Sequence, residues 1–335
     1  MAWSTPRERE RGSSMSRAVA GPRAQVAKIL RAADAVTVLC HVRPDADTIG
    51  SGLALALALD RAGVEVEVGF PGPWSLPDAL GALPGAKLIV DPADLVGHRV
   101  AIAMDCASTS RLGDLAELIE RADHGVVIDH HASNRGFGDI NVIDPSADCT
   151  AELVLELLDE LELPIDSDIA TCLFAGLVTD TGSFRWARAG AHEVAARLLE
   201  TGVDGPAWTR LLLDTHQFGW LTMVSEALQS AVLVPEAFSG AGLVYALVGH
   251  ECSRQIDWAE AESVIDLVRT VGDAEVAVVF KESEPGEWTV SMRSRSDVDL
   301  VPLARTQGGG GHRHAAGFSI TGSATEVVEK LLASV

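Results

Sequence analysis

The sequence predicts an α/β protein, with an N-terminal, mainly parallel sheet flanked by helices and a smaller C-terminal α/β domain. Three observations carry this prediction. The runs Ala35–Leu39, Val100–Met104 and Gly125–Ile128 are largely apolar, as strands buried on both faces are. Each ends in polar residues: Cys40-His41 through Asp47 after the first, Asp105 after the second, Asp129-His130-His131 after the third. Helical stretches separate the runs, which implies right-handed βαβ crossovers.

The elements follow in order. Residues 1–23 mix Arg, Glu, Ser and Gly without an apolar segment, and read as a disordered tail rather than a secretory signal. Ala24 to Ala33 reads as a helix leading into the first strand. Next comes a turn. Pro44 disfavours helical backbone at Arg43, and Asp47 would leave any helix face shared by His41 and Asp45. The helix Gly52–Leu59 follows. Val64–Val68 alternates strictly and reads as a half-exposed strand. Pro71, Pro73, Pro77 and Pro84 mark a loop with one short helix, and Lys87–Val90 reads as a short strand. Ile140–Ile143 is a further strand, Thr150–Leu161 a helix and Ile169–Val178 a buried helix running into Thr179-Asp180-Thr181-Gly182. Helical patterns continue over His192–Glu200, Ala207–Asp214 and Trp220–Gln229.

The chain has 335 residues, enough for two domains. Residues 24–200 form the first, 201–230 a helical connector and 231–335 the second. The second contains strands at Val232–Val234 and Gly242–Val248 and a helix over Trp258–Thr270. Paired strands at Glu275–Phe280 and Trp288–Arg293 are joined through Glu284-Pro285-Gly286. A helix from Val301 to Arg305 runs into Gly308-Gly309-Gly310-Gly311, and a strand and the helix Ala324–Ala333 close the chain.

The formal net charge is −22. That excludes a non-specific binder of long duplex nucleic acid, which needs many Lys and Arg to displace counterions. A phosphate substrate must then be held locally, by metals or a few placed arginines. The five cysteines are odd in number and form no C-x-x-C, as in a reduced cytosolic protein. The longest apolar runs are too short to span a bilayer, so no membrane partner is expected.

His41, Asp45, Asp47, Asp105, Asp129, His130 and His131 gather at strand ends, and Asp180 joins them from its turn. Converging carboxylates repel one another unless cations lie between them. Oxygen and imidazole donors without a thiolate pattern favour Mn²⁺ or Mg²⁺ over structural zinc. Two ions roughly 3.5–4 Å apart are a recurrent device for phosphoester hydrolysis. Plainer readings exist: Asp47 or Thr48 as a helix N-cap, Asp180 as a turn residue, Cys40 and Cys106 as buried spectators. In the second domain the glycine run lets backbone N–H groups approach a phosphate, with His312 and His314 adding donors. Arg293 and Arg295 alternate on a strand and should share a face. Their forks suit phosphate oxygens, although a solvated strand face is the plain alternative. Asn134 and Arg135, just after the histidine pair, are candidate substrate contacts.

His41-x-x-x-Asp45-x-Asp47, Asp105, Asp129-His130-His131 and Asp180 resemble the four motifs of the DHH phosphoesterase superfamily. Gly309-Gly310-Gly311-His312-x-x-Ala315-Ala316-Gly317 resembles the glycine-rich signature of its C-terminal DHHA1 domain. The nearest branch is the nano-RNase and pAp phosphatase type, whose actinobacterial relatives also cleave cyclic di-AMP. The resemblance implies two Mn²⁺ ions, with Mg²⁺ as the alternative. One is held by His41, Asp45 and Asp105, the other by Asp47, Asp105, His130 and Asp180. It assigns His131 to the phosphoryl oxygens or leaving group and Asp129 to orienting the histidine pair. Gly310, Gly311, His312, His314, Arg293 and Arg295 would grip the nucleotide. It further implies short RNA, 3′-phosphoadenosine 5′-phosphate (pAp) or cyclic dinucleotides as substrates, a homodimer and a cytoplasmic location. An inorganic pyrophosphatase shares the N-terminal motifs, and a catalytically silent nucleotide sensor is the reading from another class.

Overall fold

Five parallel strands form the first sheet. They are β1 (Ala35–Leu39), β2 (Glu65–Gly69), β3 (Val100–Met104), β4 (His124–Asp129) and β5 (Ile140–Ile143), in the order β2-β1-β3-β4-β5. The structure is a computed structural model and describes residues 19–335 except 73, 74, 255, 257 and 297. Residues 1–18 of the expected tail and Pro73 of the proline-marked loop lie outside the described residues. The chain divides into two units, up to Thr215 and from His216 onward.

In the first unit a helix covers residues 19–30 (α1), so the helix already includes 19–23, which the sequence assigns to the tail. Val19, Val26, Ala27 and Leu30 are buried in the main core, which accounts for the earlier start. Helix α2 (Ala46–Arg61) also starts earlier than its apolar run suggests. Asp45 is its N-cap and accepts the Asp47 and Thr48 amides at 3.1 and 3.0 Å. The cap is therefore Asp45, and Asp47 and Thr48 lie in the first turn. Every residue from Ala46 to Leu59 is buried. Burying each leucine of this helix contributes about 1.5–3 kcal/mol, enough for its apolar surface to set its position.

Helix α3 (Asp78–Gly81) is the short helix of the proline-marked loop, and α4 (Ala116–Arg121) links β3 to β4. Helices α5 (Thr150–Leu161) and α6 (Ser167–Asp180) pack on α2, and α7 (Ala189–Glu200) and α8 (Gly205–Leu213) pack on α6. The α2–α6 approach is close because glycines line it. A Cβ at Gly50 would lie 2.3 Å from the Cys172 carbonyl oxygen. One expected strand does not form: Ala86–Leu88 is a 3₁₀ turn, and only Ile89 bridges Val68. Gly85, at φ +80°, turns the chain there before a ladder can build.

In the second unit α9 (Phe218–Gln229) precedes a six-stranded sheet. The strands are β6 (Val232–Val234), β7 (Leu243–Val248), β8 (Val276–Glu284), β9 (Glu287–Ser294), β10 (Gly310–His312) and β11 (Ala315–Thr321), in the order β10-β11-β9-β8-β7-β6. Only β7 and β8 pair in parallel. Side chains alternate between two cores: Leu243, Val276, Val278 and Phe280 enter one, Val244, Ala246, Ala277 and Val279 the other. The helix expected over Trp258–Thr270 is broken into Trp258–Glu262 and Val264–Val268. Ser263, at the break, accepts the Trp220 indole N–H at 2.8 Å.

Candidate metal centre

The C-terminal ends of β1, β3 and β4 lie side by side, because these strands are adjacent and parallel. The residues that follow them therefore meet at one sheet edge, the usual place for ligands in open α/β sheets. His41 follows β1, Asp105 follows β3, and Asp129-His130-His131 ends β4. Asp45 and Asp47 come from the start of α2, and Asp180 from the end of α6.

Asp105 stands between two groups. Its Oδ2 lies 3.5 Å from His41 Nε2, and its Oδ1 lies 3.6 Å from His130 Nε2. His41 Nε2 is also 3.3 Å from Asp45 Oδ2. His130 Nε2 is 3.2 Å from Asp180 Oδ2 and 3.9 Å from Asp47 Oδ2. The donor atoms of His41, Asp45 and Asp105 converge within 4.8 Å, as do those of Asp47, Asp105 and His130. Asp105 is buried, at φ +58°, in the left-handed region that Asp tolerates better than most residues.

Protonation tests whether this donor set suits cations. Burial, then the charges of Asp105 and Asp180, pushes the Asp47 carboxyl well above the usual range. Burial also raises Asp180, against the pull of His130. Burial and the Arg111 guanidinium oppose a proton on His41, but Asp45 and Asp105 prevail and its pKa is raised to about 9. Burial likewise opposes a proton on His130, and Asp180, Asp105 and Asp47 overcome it. The surroundings of these groups therefore favour added positive charge. Divalent cations would satisfy the same demand through oxygen and imidazole donors.

The remaining predicted residues around β4 hold one another. His131 Nδ1 lies 2.7 Å from Asp129 Oδ1. The Asn134 amide donates to Asp129 Oδ2 at 2.6 Å and to the Cys106 carbonyl at 2.9 Å. Its Oδ1 accepts the Gly136 amide. Burial favours the neutral acid, but His131 and Asn134 keep Asp129 below the ordinary carboxylate range. Asn134 is thus buried and engaged within the protein, whereas Arg135 is exposed. Cys40 and Cys106 are fully buried, and burial pushes both thiols up, Cys40 to about 12. Such thiols are not thiolates at neutral pH.

Of two arginines that the sequence did not single out, Arg111 touches this centre and Arg188 reaches the carbonyl that faces His130. Arg111 Nη2 lies 2.8 Å from His41 Nδ1, and the Val42 carbonyl lies 2.9 Å from the same nitrogen. A guanidinium only donates and a carbonyl only accepts, so the two contacts select opposite states of Nδ1. Arg188 Nη2 donates to the Ala147 carbonyl at 2.8 Å, and its Nε pairs with Asp148 Oδ1 at 2.8 Å. His130 Nδ1 faces that same carbonyl at 3.4 Å, which leaves Nε2 for the acids. Both arginines are distant in sequence from the groups they serve and belong to no motif.

In the second unit the glycine run is part of the sheet. Gly310–His312 is β10, paired with β11. A Cβ at Gly309 would lie 2.1 Å from the Gly317 carbonyl oxygen, and one at Gly311 would lie 2.4 Å from that of Ala315. These glycines permit close approach of two backbones. His314 Nδ1 lies 2.9 Å from Ser294 Oγ. Arg293 lies on β9, which pairs with β11 through Arg293 and Ala315. Arg295 falls just past the end of β9 and donates to the Gly272 carbonyl at 3.2 Å.

Residues 35–177 match the DHH family N-terminal domain, and residues 240–335 match the DHHA1 domain. The chain belongs to the DHH family. It is 34% identical over 317 residues to the "bifunctional oligoribonuclease and PAP phosphatase NrnA" of Thermus thermophilus, spanning 92% of each chain. It is 27% identical to the "cyclic-di-AMP phosphodiesterase PdeA" of Listeria monocytogenes, over 92% of this chain and 48% of that one. The fold is shared with the crystal structure of an exopolyphosphatase-related protein from Bacteroides fragilis, at a TM-score of 0.81 and 23% identity, covering 94% of this chain and 96% of the other. Among the described residues no helix is long and apolar enough to cross a membrane.

Proposed function

We propose that the protein is a metal-dependent phosphoesterase that hydrolyses short oligoribonucleotides, pAp and cyclic dinucleotides to mononucleotides. One observation supports this most: the two oxygens of Asp105 face two separate histidines, at 3.5 and 3.6 Å, each with its own further carboxylates. A shared carboxylate between two donor groups suits a pair of ions. In this reading His41, Asp45 and Asp105 hold one Mn²⁺ or Mg²⁺ ion, and Asp47, Asp105, His130 and Asp180 hold the other. When bound, such ions neutralise phosphate charge and ease deprotonation of a water.

The chain's own groups supply the rest. Asp129, itself fixed by Asn134, orients His131 through Nδ1. Burial opposes a proton on His131, but the charges of Asp129 and Asp105 raise its pKa, which favours the imidazolium form. His131 is partly exposed and can meet a phosphoryl or leaving oxygen. Arg293, Arg295, His312, His314 and the Gly310–Gly311 backbone offer donors for a nucleotide phosphate. This is how a chain of net charge −22 can process nucleic acid: it holds a short end at a few placed groups. The similarity to the Thermus relative over nearly the whole length supports the same substrate class. The five free cysteines fit a cytoplasmic protein, and a homodimer belongs to the same proposal.

The test is a Mn²⁺-dependent assay of the purified protein against pAp, pApA, cyclic di-AMP and pyrophosphate. Release of AMP from pAp and pApA is expected. Turnover of pyrophosphate alone would overturn the assignment in favour of a pyrophosphatase. Nucleotide binding without any hydrolysis would favour a sensor.

A further inference from the structure

We propose that Thr150 is a positioning residue for the metal centre, holding Asp105 with its side chain and Asp47 with its backbone. Thr150 is the first residue of α5 and is fully buried. Its hydroxyl donates to Asp105 Oδ1 at 2.7 Å. Its amide donates to Asp47 Oδ2 at 2.7 Å, and the next amide, of Ala151, donates to Asp47 Oδ1 at 3.0 Å.

The helix end is unusual in how it is capped. Cys149, at the N-cap position, makes no side-chain capping bond. The carboxylate of Asp47, from another helix and 103 residues earlier, takes the free amides instead. Helix N-termini favour negative charge, so the start of α5 is a fitting place for a carboxylate.

The hydroxyl acts on the other acid. Asp105 Oδ1, which it holds, is the oxygen 3.6 Å from both His130 Nε2 and His131 Nδ1. With Oδ1 fixed on that side, Oδ2 is left facing His41 at 3.5 Å. Without the hydroxyl, a carboxylate crowded by Asp45, Asp47 and Asp180 has less reason to keep both oxygens in these directions. Partners that orient a metal ligand typically change metal affinity about 10–100-fold when removed. The inference rests on the two-ion reading above, and the experiment separates the two.

The variant is Thr150→Val, which keeps the branched shape and replaces the hydroxyl by a methyl group. Mn²⁺ binding is followed without substrate, by the loss of the free-ion EPR signal, and the metal-free melting temperature reports folding. Thr150→Val is expected to bind Mn²⁺ about 10–100-fold more weakly than wild type, and Thr150→Ser to restore most of the affinity. At saturating Mn²⁺ the kcat of Thr150→Val should recover. A Thr150→Val isotherm equal to or tighter than wild type overturns the inference, as does a Thr150→Ser protein impaired to the same degree. If wild type itself binds no Mn²⁺, both this inference and the two-ion reading fall. Should the valine chain not fold, Thr150→Ala also lacks the hydroxyl and carries the same expectation.

Discussion

Gly176 stands against Asp47 so closely that a Cβ at position 176 would lie 2.4 Å from Asp47 Oδ1 and 3.0 Å from its Cα. The contact joins α6 to the first turn of α2, where Asp47 is wholly buried. Gly176→Ala should therefore displace a candidate ligand as well as strain a helix pair. Overpacking of this kind costs about 1–3 kcal/mol. We expect a lower melting temperature and weaker Mn²⁺ binding together, measured by thermal unfolding with and without the ion. A variant that melts lower but binds Mn²⁺ normally would show that Asp47 has no part in holding it.

The metal-free centre should respond to pH in a definite direction. His41 is raised from 6.5 to about 9, so its stabilising charge is fully present below about 6.5 and is lost as pH rises through about 9. His130, raised by its own acids, has the same sign. Asp45 and Asp129 are lowered, so their contributions are lost only as pH falls below the ordinary carboxylate value of 3.8. Between pH 6.5 and 9.5 the metal-free melting temperature should fall. Mn²⁺ competes with the histidine protons, so its affinity and its stabilising effect should grow over that window. Melting curves across this range, with Mn²⁺ and with chelator, check both signs. A Mn²⁺ affinity that weakens with rising pH would contradict the proton-loaded picture.

Arg293 lies on β9 in the second unit and is none of the candidate metal ligands. Arg293→Ala should raise KM for pAp about tenfold or more, as the loss of a charge-assisted bond of about 1.5–3 kcal/mol does. Its kcat and its Mn²⁺ isotherm should stay near wild type. Steady-state kinetics at saturating Mn²⁺ distinguish this from a loss confined to kcat, which would move Arg293 into the chemical step.

How much of this was legible in the sequence depends on how local each signal was. The strands β1, β3 and β4 were readable because burial on both faces leaves largely apolar runs. The polar residues at their ends were readable because a parallel sheet sends them to one edge. The 3₁₀ turn at Ala86–Leu88 was not, since Lys87–Val90 has strand composition and only Gly85 redirects it. Helix α2 hid its start because Asp45 caps it inside the very motif that looked like a loop. The glycine run looked like a phosphate cradle, and the close backbone approach of β10 to β11 became visible only with the hairpin formed. Arg111, Arg188 and Thr150 carried no signal at all. Each meets its partners across 40 or more residues of chain, through contacts that no periodicity records.

The most direct measurement is the stoichiometry and coupling of Mn²⁺, by titration and low-temperature EPR of the bound ions, in wild type and Asp105→Ala. Among the described residues Asp105 alone faces both donor groups, so wild type should hold two ions per chain with a spin-coupled signal. Asp105→Ala should lose the coupling, and its turnover should drop on the order of 10³-fold or more, since such ions supply several kcal/mol of transition-state stabilisation. A single uncoupled ion in wild type, or a coupled pair that survives the loss of Asp105, would contradict the account.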